Sequence, residues 1–222
     1  IRGLEIARKC DYIFFERYTS KIATTSEKLS NLIGKEVREV SREHLENKSQ
    51  EILELAKSKD VAILVPGDAL VATTHITLFI EAKKIGIETK VVHSSSIYTA
   101  ISSTGLQIYK FGRTTTLTSF KAESVKKVVH ENKARGLHTL LLIDPELSIK
   151  DAIERIINEG IVKEDEKIVI YSNFHGEEII KYGRAKDFLK NFEFKENYQY
   201  SIIIPGNLHF MEEEGLELFA EK

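Results

Sequence analysis

The sequence predicts an α/β protein of two domains, because short apolar strands alternate with amphipathic helices along its 222 residues. The run VAILV at 61–65 is continuously apolar, which is typical of a strand covered on both faces of a sheet, and TLLLI at 139–143 is predicted as a second buried strand. The alternation restarts after the HSSS stretch at 93–96. We therefore predict mainly parallel or mixed sheets in two domains, at residues 1–94 and 95–222.

Capping residues and glycines set the helix boundaries in the first half. Thr24 and Glu27 have the spacing of a capping box, and Gly34 ends the helix that they begin. A later helix begins near His75 and is ended by Gly86. The predicted strands of this half are 11–19, 36–41, 61–65 and 87–93, and its predicted helices are 24–34, 42–58 and 75–85.

The second half opens with a short helix that Ser95 or Ser96 can cap and that Gly105 ends. The threonine-rich segment 106–118 has the composition of β structure, and Gly136 ends the helix that follows it. The predicted helices of this half are 122–135, 148–160 and one within 205–220, and its predicted strands are 139–143, 167–171 and 200–204.

Composition excludes several classes of function. Charged residues make up 30% of the chain, but the net charge is only -2, without the basic excess typical of a nucleic-acid binder. Cys10 is the only cysteine, so the chain forms no internal disulfide, as expected in a reducing compartment. The longest apolar runs are far shorter than the roughly 20 residues of a membrane span. We predict a cytoplasmic protein without nucleic-acid or membrane partners.

The first ten residues, IRGLEIARKC, have the pattern of the closing turns of an amphipathic helix. The first residue is Ile1 rather than Met. We therefore expect a strand upstream of Ile1, and in α/β proteins the first strand and its loop often belong to the ligand site.

The sequence contains none of the short motifs of dinucleotide-binding, P-loop, zincin or α/β-hydrolase sites. Its seven histidines are scattered, and no two of them have the spacing of metal ligands. We predict a metal-free site, and the residues indicate no catalytic side chain.

The stretch LVPGDALVATTH at 64–75 contains the strongest candidate, because ligands of open α/β sheets bind beyond the carboxyl ends of strands. Asp68 can accept hydrogen bonds from ribose hydroxyls or an ammonium group there, or it can close an Asx turn after Pro66 and Gly67. For His75 and His209, a position at a helix start favours exposure.

Tyr109, Phe111 and Arg113 alternate in QIYKFGRT, so a strand would present them on one face as an aromatic and cationic surface for a substrate. A half-buried structural strand is the alternative. Three serines in HSSSIYTA lie at a strand-to-helix junction, where hydroxyls and free amides suit an adenosine or a carboxylate, or cap the helix.

Five stretches together resemble the diphthine synthases, a family of S-adenosylmethionine-dependent methyltransferases in the tetrapyrrole-methylase-like group. They are GDALVATTH, VVHSSSIYTAI, STGLQIYKFGRTTTL, RGLHTLLLID and PGNLHFMEEEGLELFA, in this order and over nearly the whole chain. Ala69 stands where the family commonly has proline, and Ser94-Ser95 stand where Asn-Ala is usual. The family also opens with a strand and a G-L-G-L loop that have no counterpart after Ile1.

The resemblance implies two α/β domains with S-adenosylmethionine in the cleft between them, and a homodimer. It places the cofactor contacts on matching positions of the signatures and, where the spacing differs, on two strand ends. The implied cofactor-binding residues are Asp68, Val71, Ser96, Ile97, Asp144, Ser172 and His209.

The implied activity is successive methylation of the amino group of 3-amino-3-carboxypropyl-histidine on translation elongation factor 2, which gives diphthine in diphthamide biosynthesis. Two alternatives are a sister methyltransferase that acts on a tetrapyrrole precursor and a non-catalytic cofactor-binding module. The signature TGLQIYKFGRT argues against the tetrapyrrole substrate.

Overall fold

A computed structural model describes residues 1–120, 123–174 and 176–220. Contacts divide the chain into two compact units, Ile1–Ile97 and Tyr98–Lys222. Each unit contains one β-sheet with its own helices, so the predicted α/β class and the mixed sheets are confirmed. Among the described residues, no helix combines the length and apolarity needed to cross a membrane.

The first unit contains a three-stranded parallel sheet with β1 in the centre and the order β2-β1-β3. Parallel pairing brings the carboxyl ends of β1 and β3 to the same edge, since Phe15 pairs with Leu64. The strands are β1 (Tyr12–Glu16), β2 (Arg38–Val40) and β3 (Val61–Leu64), and the helices are α1 (Arg2–Ala7), α2 (Ser26–Ile33), α3 (Arg42–Glu46), α4 (Ser49–Ala56) and α5 (Ile76–Lys84). A short helix, α6 (Ile97–Ala100), follows at the junction of the units.

The core of the first unit lies against β1. Ile13 and Phe15 of this strand are buried with residues of α1 and α2, because alternate side chains of a strand face the same side. Cys10 belongs to this cluster, and its thiol donates to the Ile6 carbonyl at 3.4 Å. The buried members are Ala7, Cys10, Ile13, Phe15, Ile33 and Val37.

The second unit contains a five-stranded mixed sheet with the order β4-β5-β8-β6-β7. Only β4 and β5 are parallel; β8 runs antiparallel to β5 and β6, and β7 runs antiparallel to β6. The strands are β4 (Thr115–Leu117), β5 (Thr139–Ile143), β6 (Lys167–Phe174), β7 (Glu177–Arg184) and β8 (Ser201–Ile204), and the helices are α7 (Glu123–Ala134), α8 (Ile149–Asn158), α9 (Ala185–Asn191) and α10 (Phe210–Glu217).

Several predicted elements differ from the structure for identifiable reasons. Residues 87–93 form no strand among the described residues, because β-branched side chains favour a strand only where a neighbouring strand pairs with it. The predicted helix 42–58 is two helices that break at Asn47, a residue type that favours helix ends. The residues of β3 are half-buried rather than fully covered, because β3 is an edge strand. The capping threonine of α2 is Thr25, whose hydroxyl accepts from the Lys28 amide.

Two elements were missed altogether. The β7 strand begins and ends with charged residues and contains Gly183, so its alternation is weak as a sequence signal. Strand β7 is an edge strand, where charged residues are common. Helix α9 follows it directly, with Arg184 at its N-cap.

The backbone at Gly206 lies close to the backbone at Gly136 and Leu137 in the second unit, and a substitution can test this approach. A Cβ atom on Gly206 would lie 2.5 Å from the carbonyl oxygens of Gly136 and Leu137, so an alanine would force backbone apart. We expect Gly206→Ala to lower the free energy of unfolding by about 1–3 kcal/mol, the usual cost of overpacking. Urea denaturation measures this loss.

Gly3→Ala is the matched control, because Gly3 lies in α1 and a Cβ atom on it would lie 4.0 Å from its nearest neighbour, Val92 Cγ1. Alanine in a helix stabilises by about 0.5–1 kcal/mol relative to glycine. Equal urea midpoints for the two variants would contradict the close approach at Gly206.

Candidate functional site

Asp68 lies just beyond the carboxyl end of β3 and is almost fully buried. Its Oδ1 accepts from the Leu70 amide at 3.1 Å, which is the Asx turn that the sequence left as one alternative. Its Oδ2 accepts from the Ser94 amide at 3.0 Å and from His93 Nδ1 at 2.9 Å. The carboxylate therefore ties the 68–70 turn to the segment that leads into α6.

These donors keep Asp68 ionised. The hydrogen bond from the Leu70 amide is the largest cause of a lowered pKa for Asp68, and the bonds from Ser94 and His93 add to it. Because hydrogen bonds to a carboxylate favour its charged form, Asp68 keeps a negative charge at this strand end at neutral pH.

The loop between Asp68 and α5 is held in a strained shape. Ala72 has φ of 57°, which a residue with a Cβ rarely adopts. Thr73 Oγ1 donates to the Ala69 carbonyl at 2.7 Å and closes the loop on itself, and the Val71 amide donates to the Asp68 carbonyl at 3.3 Å. Backbone strain of this kind persists where the surroundings determine the conformation, and it is frequent at ligand sites.

His75 is buried, so the expectation of an exposed histidine at this helix start is wrong. Its Nε2 lies 3.4 Å from Glu16 Oε1, at the end of β1. Glu16 is fully buried and also accepts from the amides of Tyr18 and Thr19, at 3.0 and 3.1 Å, and from the Thr19 hydroxyl. The parallel strands β1 and β3 therefore both end in a buried carboxylate.

Burial raises the pKa of Glu16, but the hydrogen bonds from His75 and Thr19 outweigh it, so the pKa lies below its ordinary value. Tyr18 covers this pair, with its ring edge-on to His75 at 6.0 Å and the Arg42 guanidinium 5.1 Å from its centroid. The buried Tyr18 hydroxyl has no hydrogen-bond partner among the described residues, and burial raises its pKa to about 12.

Val71, Ser96 and Ile97 are half-buried in the first unit. Val71 lies within the strained loop, and Ser96 and Ile97 follow the segment that Asp68 holds at Ser94. Asp68 thus connects both stretches that carry the implied cofactor residues of this unit.

Glu212 is the centre of the second unit's polar contacts, and sequence reasoning missed it. Its fully buried carboxylate accepts from the amides of Gln107 and His209, both at 2.8 Å, and from Lys110 Nζ. It also accepts from His138 Nε2 at 3.0 Å. One side chain of α10 therefore joins the 107–110 segment, the amino end of β5 and the start of its own helix.

His138 is fully buried as a neutral ring of defined tautomer. The Gly206 amide donates to its Nδ1 at 2.9 Å, so Nδ1 carries no proton and Nε2 is the donor to Glu212. Burial lowers the pKa of His138 more than the neighbouring Glu212 raises it, which agrees with an uncharged ring.

His209 is the N-cap of α10 and is exposed, as expected for a histidine at a helix start. Its Nδ1 accepts from the Met211 amide at 3.3 Å, while the Glu212 side chain accepts from the His209 amide. This reciprocal pair is a capping box with histidine in the place of serine or threonine. Its ring lies 4.2 Å from that of Phe210, which is exposed.

The prediction that Tyr109, Phe111 and Arg113 share one strand face is wrong. Residues Ile108–Lys110 form a 3-10 turn, and the strand begins only at Thr115. The Phe111 ring packs edge-on against His138 at 5.3 Å, whereas Tyr109 is 82% exposed. The exposed Arg113 guanidinium lies 3.4 Å from Glu131. The periodicity failed because Glu212 and His138 hold this segment in a turn.

Asp144 and Ser172 lie at the other end of the second sheet from His209. Asp144 follows β5 and closes a turn, since its Oδ1 accepts from the Glu146 amide at 3.0 Å. The buried Ser172 hydroxyl donates to the backbone carbonyl of Gln199 at 2.7 Å, and the Gln199 side-chain Nε2 donates to the Ile143 carbonyl at 2.9 Å. Asp144 lies six residues beyond His138 across β5, so roughly 20 Å separates them at about 3.4 Å per residue.

The described ranges contain no group of three or more histidine, cysteine, aspartate or glutamate side chains arranged to hold a metal ion. The polar groups described above lie at loop and strand ends in both units. The carboxyl edge of the first sheet offers a buried anion, a strained loop and a helix start, which suit a ligand with hydroxyl and ammonium groups.

Comparison with known proteins identifies the family to which this chain belongs. The family model for tetrapyrrole (corrin/porphyrin) methylases matches residues 1–176. The diphthine synthase of Methanocaldococcus jannaschii is 38% identical, with 100% of this chain and 93% of that protein covered. The chain belongs to the diphthine synthase family. The diphthine synthase of Archaeoglobus fulgidus is also 38% identical over 100% of this chain and 90% of that protein.

A crystal structure of a diphthine synthase superimposes on this family member with a TM-score of 0.93 at 35% identity. The superposition covers 99% of this chain and 89% of that one. The tetrapyrrole methylase fold implied by the signatures is therefore confirmed.

In this diphthine synthase family member, a local signal existed for the two missed carboxylates. Glu16 ends the strand YIFFE, so an acid directly follows an apolar run. Glu212 is three residues after His209, which is capping-box spacing. What sequence could not provide is the distant donors, since Lys110 and His138 are remote from Glu212 along the chain.

The Glu212 carboxylate predicts an acid-dependent loss of stability. Burial raises its pKa, but the bonds from His209, Lys110, Gln107 and His138 bring the pKa to about 2, below the ordinary 4.5. A lowered folded-state pKa stabilises the protein above pH 4.5, and the contribution, on the order of 3 kcal/mol, disappears as the pH falls towards 2. We expect Glu212→Gln to destabilise strongly at pH 7 and little near pH 2.

Glu217→Gln is the control on the same helix, because Glu217 pairs with Lys167 at the exposed surface at 2.9 Å. An exposed pair contributes little to stability. Unfolding free energies at several pH values compare the variants with the unchanged protein. A pH-independent difference for Glu212→Gln would contradict the assignment.

Proposed function

We propose that this protein is an S-adenosylmethionine-dependent methyltransferase that makes diphthine. Its acceptor is the amino group of 3-amino-3-carboxypropyl-histidine on translation elongation factor 2, which it methylates successively in diphthamide biosynthesis. The observation that carries the proposal is the 38% identity to a diphthine synthase over 100% of the chain. The polar carboxyl edge of the first sheet supports it independently of that name.

In the first unit, the cofactor contacts fall on the two stretches that Asp68 connects. The Asp68 carboxylate holds the turn whose loop contains Val71, and it also fixes the segment before Ser96 and Ile97. A ligand would therefore meet groups that are already positioned, which reduces the entropy lost on binding.

In the second unit, the contacts fall on His209 at one end of β5 and on Asp144 and Ser172 at the other. These two positions are separate proposals, because the length of β5 lies between them and separates His138 from Asp144 by roughly 20 Å. Gln199 joins the Asp144 end as a residue that the sequence did not indicate, since its buried Oε1 has no partner within the described residues.

The methyl donor supplies a sulfonium that already activates the methyl carbon. The acceptor amine attacks with its lone pair, so a nitrogen–carbon bond forms as the sulfur–carbon bond breaks, and the amine proton passes to water. This chain then has to bind, align and exclude water rather than to supply a strong base. We assign no catalytic side chain.

Tyr109 and Arg113 are the proposed acceptor contacts, each for its own reason. Tyr109 presents a ring that is 82% exposed, and an aromatic face attracts a quaternary ammonium. Arg113 presents a guanidinium whose side chain is 70% exposed and whose one ion pair among the described residues is with the exposed Glu131, so a carboxylate can compete for it. The Phe111 ring lies between these two residues in the sequence and packs edge-on against the ring of His138.

The protein substrate, a homodimer and a cytoplasmic location complete the proposal. Elongation factor 2 is a cytoplasmic protein substrate, and the single buried Cys10 suits a reducing compartment. The net charge of -2 argues against a nucleic-acid partner.

Transfer of a radiolabelled methyl group tests the proposal directly. We expect label on elongation factor 2 that carries the 3-amino-3-carboxypropyl group and none on unmodified factor. A porphyrinogen offered as the acceptor tests the sister activity. Label on the porphyrinogen alone would overturn the proposal, and donor binding without transfer would indicate a binding module.

Asp68→Ala should weaken binding of S-adenosylhomocysteine, the demethylated product, by about ten- to a hundredfold. One hydrogen bond from the ligand to a charged carboxylate contributes roughly 1.5–3 kcal/mol. Alanine also removes the three bonds by which Asp68 holds the neighbouring loop. Titration calorimetry in EDTA measures the dissociation constant and confirms that no metal is needed.

Asp11→Ala is the matched control for Asp68→Ala. Asp11 Oδ2 accepts from the Asp60 amide at 3.0 Å, just before β1 and therefore at the opposite edge of the same sheet. This variant should bind as the unchanged protein does. Equal dissociation constants for both variants would mean that Asp68 only closes the Asx turn and does not contribute to ligand binding.

Arg113→Ala and Tyr109→Ala separate the two acceptor contacts. We expect Arg113→Ala to raise KM for the modified factor about tenfold while KM for S-adenosylmethionine stays constant, because a guanidinium–carboxylate pair is lost. Tyr109→Ala should slow the last methyl addition, which product masses detect. Arg135→Ala serves as a control for the loss of a surface charge. Proportional changes in both Michaelis constants would place the acceptor surface elsewhere.

A further inference from the structure

The loop from Asp68 to Ala72 has an unfavourable backbone conformation. Ala72 has φ of 57°, and left-handed backbone costs roughly 1–2 kcal/mol for a residue with a Cβ. Val71, one residue earlier, is among the proposed cofactor contacts. Some part of the surrounding structure has to keep the loop in this conformation.

Hydrogen bonds constrain the loop at its start and in its middle. Asp68 holds the start through its bonds with Leu70 and Ser94. The Thr73 hydroxyl ties the middle to the Ala69 carbonyl at 2.7 Å. Neither of these bonds fixes the end of the loop relative to the sheet.

The end of the loop is fixed by His75. The imidazole makes no side-chain cap bond to α5, so it is not used to start that helix. It points instead to Glu16, with Nε2 at 3.4 Å from Oε1. Both side chains are buried, at 8% and 0% exposure, so water does not screen the contact.

Glu16 is a firm anchor for His75. It ends β1, the central strand of the first sheet, and it accepts from two amides and one hydroxyl besides the imidazole. Its position is therefore determined by the sheet and by the Tyr18–Thr19 turn. Thr74 adds an outer link, since its hydroxyl donates to Glu46 at 2.7 Å.

We infer that Glu16 and His75 are a positioning pair that holds the Asp68–Ala72 loop ready for the methyl donor. Asp68 fixes one end of the loop and His75 the other, so the strain at Ala72 is maintained before the ligand arrives. Only the identity of the ligand rests on the proposed function. The exchange experiment below tests the conformation of the loop without that ligand.

His75→Leu and His75→Gln distinguish positioning from general packing. Leucine fills the space but donates no hydrogen bond, whereas the glutamine Nε2 lies at about the place of the imidazole Nε2 and can donate to Glu16. We expect His75→Leu to weaken binding of S-adenosylhomocysteine about tenfold and His75→Gln to restore it to within about twofold. In steady-state assays, KM for S-adenosylmethionine should rise while KM for the acceptor stays constant.

Amide hydrogen exchange in the free protein gives a second readout that needs no ligand. Exchange across residues 68–75 should be about tenfold faster in His75→Leu than in the unchanged protein, and it should return to normal in His75→Gln. His130→Leu, on the exposed side of α7, is the matched control and should alter neither readout.

The two hypotheses fail in different ways. If the unchanged protein does not bind S-adenosylhomocysteine, the proposed function is wrong, and the exchange data still decide the role of the pair. Unchanged exchange in His75→Leu, or a glutamine variant as impaired as leucine, would overturn the positioning role.

Glu16→Gln replaces His75→Leu as the deciding variant if leucine prevents folding. It keeps the shape of the side chain but loses the charge and replaces one accepting oxygen with an NH2 donor, so we expect binding to weaken severalfold and loop exchange to rise. Normal exchange and normal binding in Glu16→Gln would overturn the inference.

Discussion

A carboxylate that is removed from water has to be surrounded by hydrogen-bond donors, and this requirement organises both units of the protein. Glu212 accepts four hydrogen bonds, which come from three separate segments of the second unit. Glu16 accepts four in the first unit, and Asp68 accepts three. In each case two of the donors are backbone amides, so the acid determines the course of loops that have no sheet to follow.

The same constraint explains how a protein without a metal cluster in its described residues can prepare a site for group transfer. A methyl donor that is already activated requires alignment more than it requires acid or base strength. Loops held by buried carboxylates provide alignment, because breaking one of their bonds leaves a charge without compensation in a place that water does not reach. Under the proposed function, the acids act on the reaction through geometry alone.

Sequence patterns predicted the elements whose signal is local. The apolar run 139–143 is a strand, and Ser148 caps the helix that follows it, because burial and capping are decided by neighbouring residues. The predicted face at Tyr109, Phe111 and Arg113 failed because bonds from distant residues decide that segment. His75 was assigned to the surface for the same reason, since nothing near it in the sequence indicates Glu16. The turn at Asp68 could be predicted because a strand end followed by Pro-Gly marks a turn, and its role in ligand binding stays a prediction.

The burial of Cys10 makes the two units separately observable. Its thiol lies in the core of the first unit, where burial raises its pKa and slows attack on any reagent. Because the sequence has no other cysteine, a thiol reagent modifies the folded chain only when the first unit opens around α1 and β1. Labelling rates therefore report opening of the first unit, and the exchange of amides within the second unit reports opening of the second.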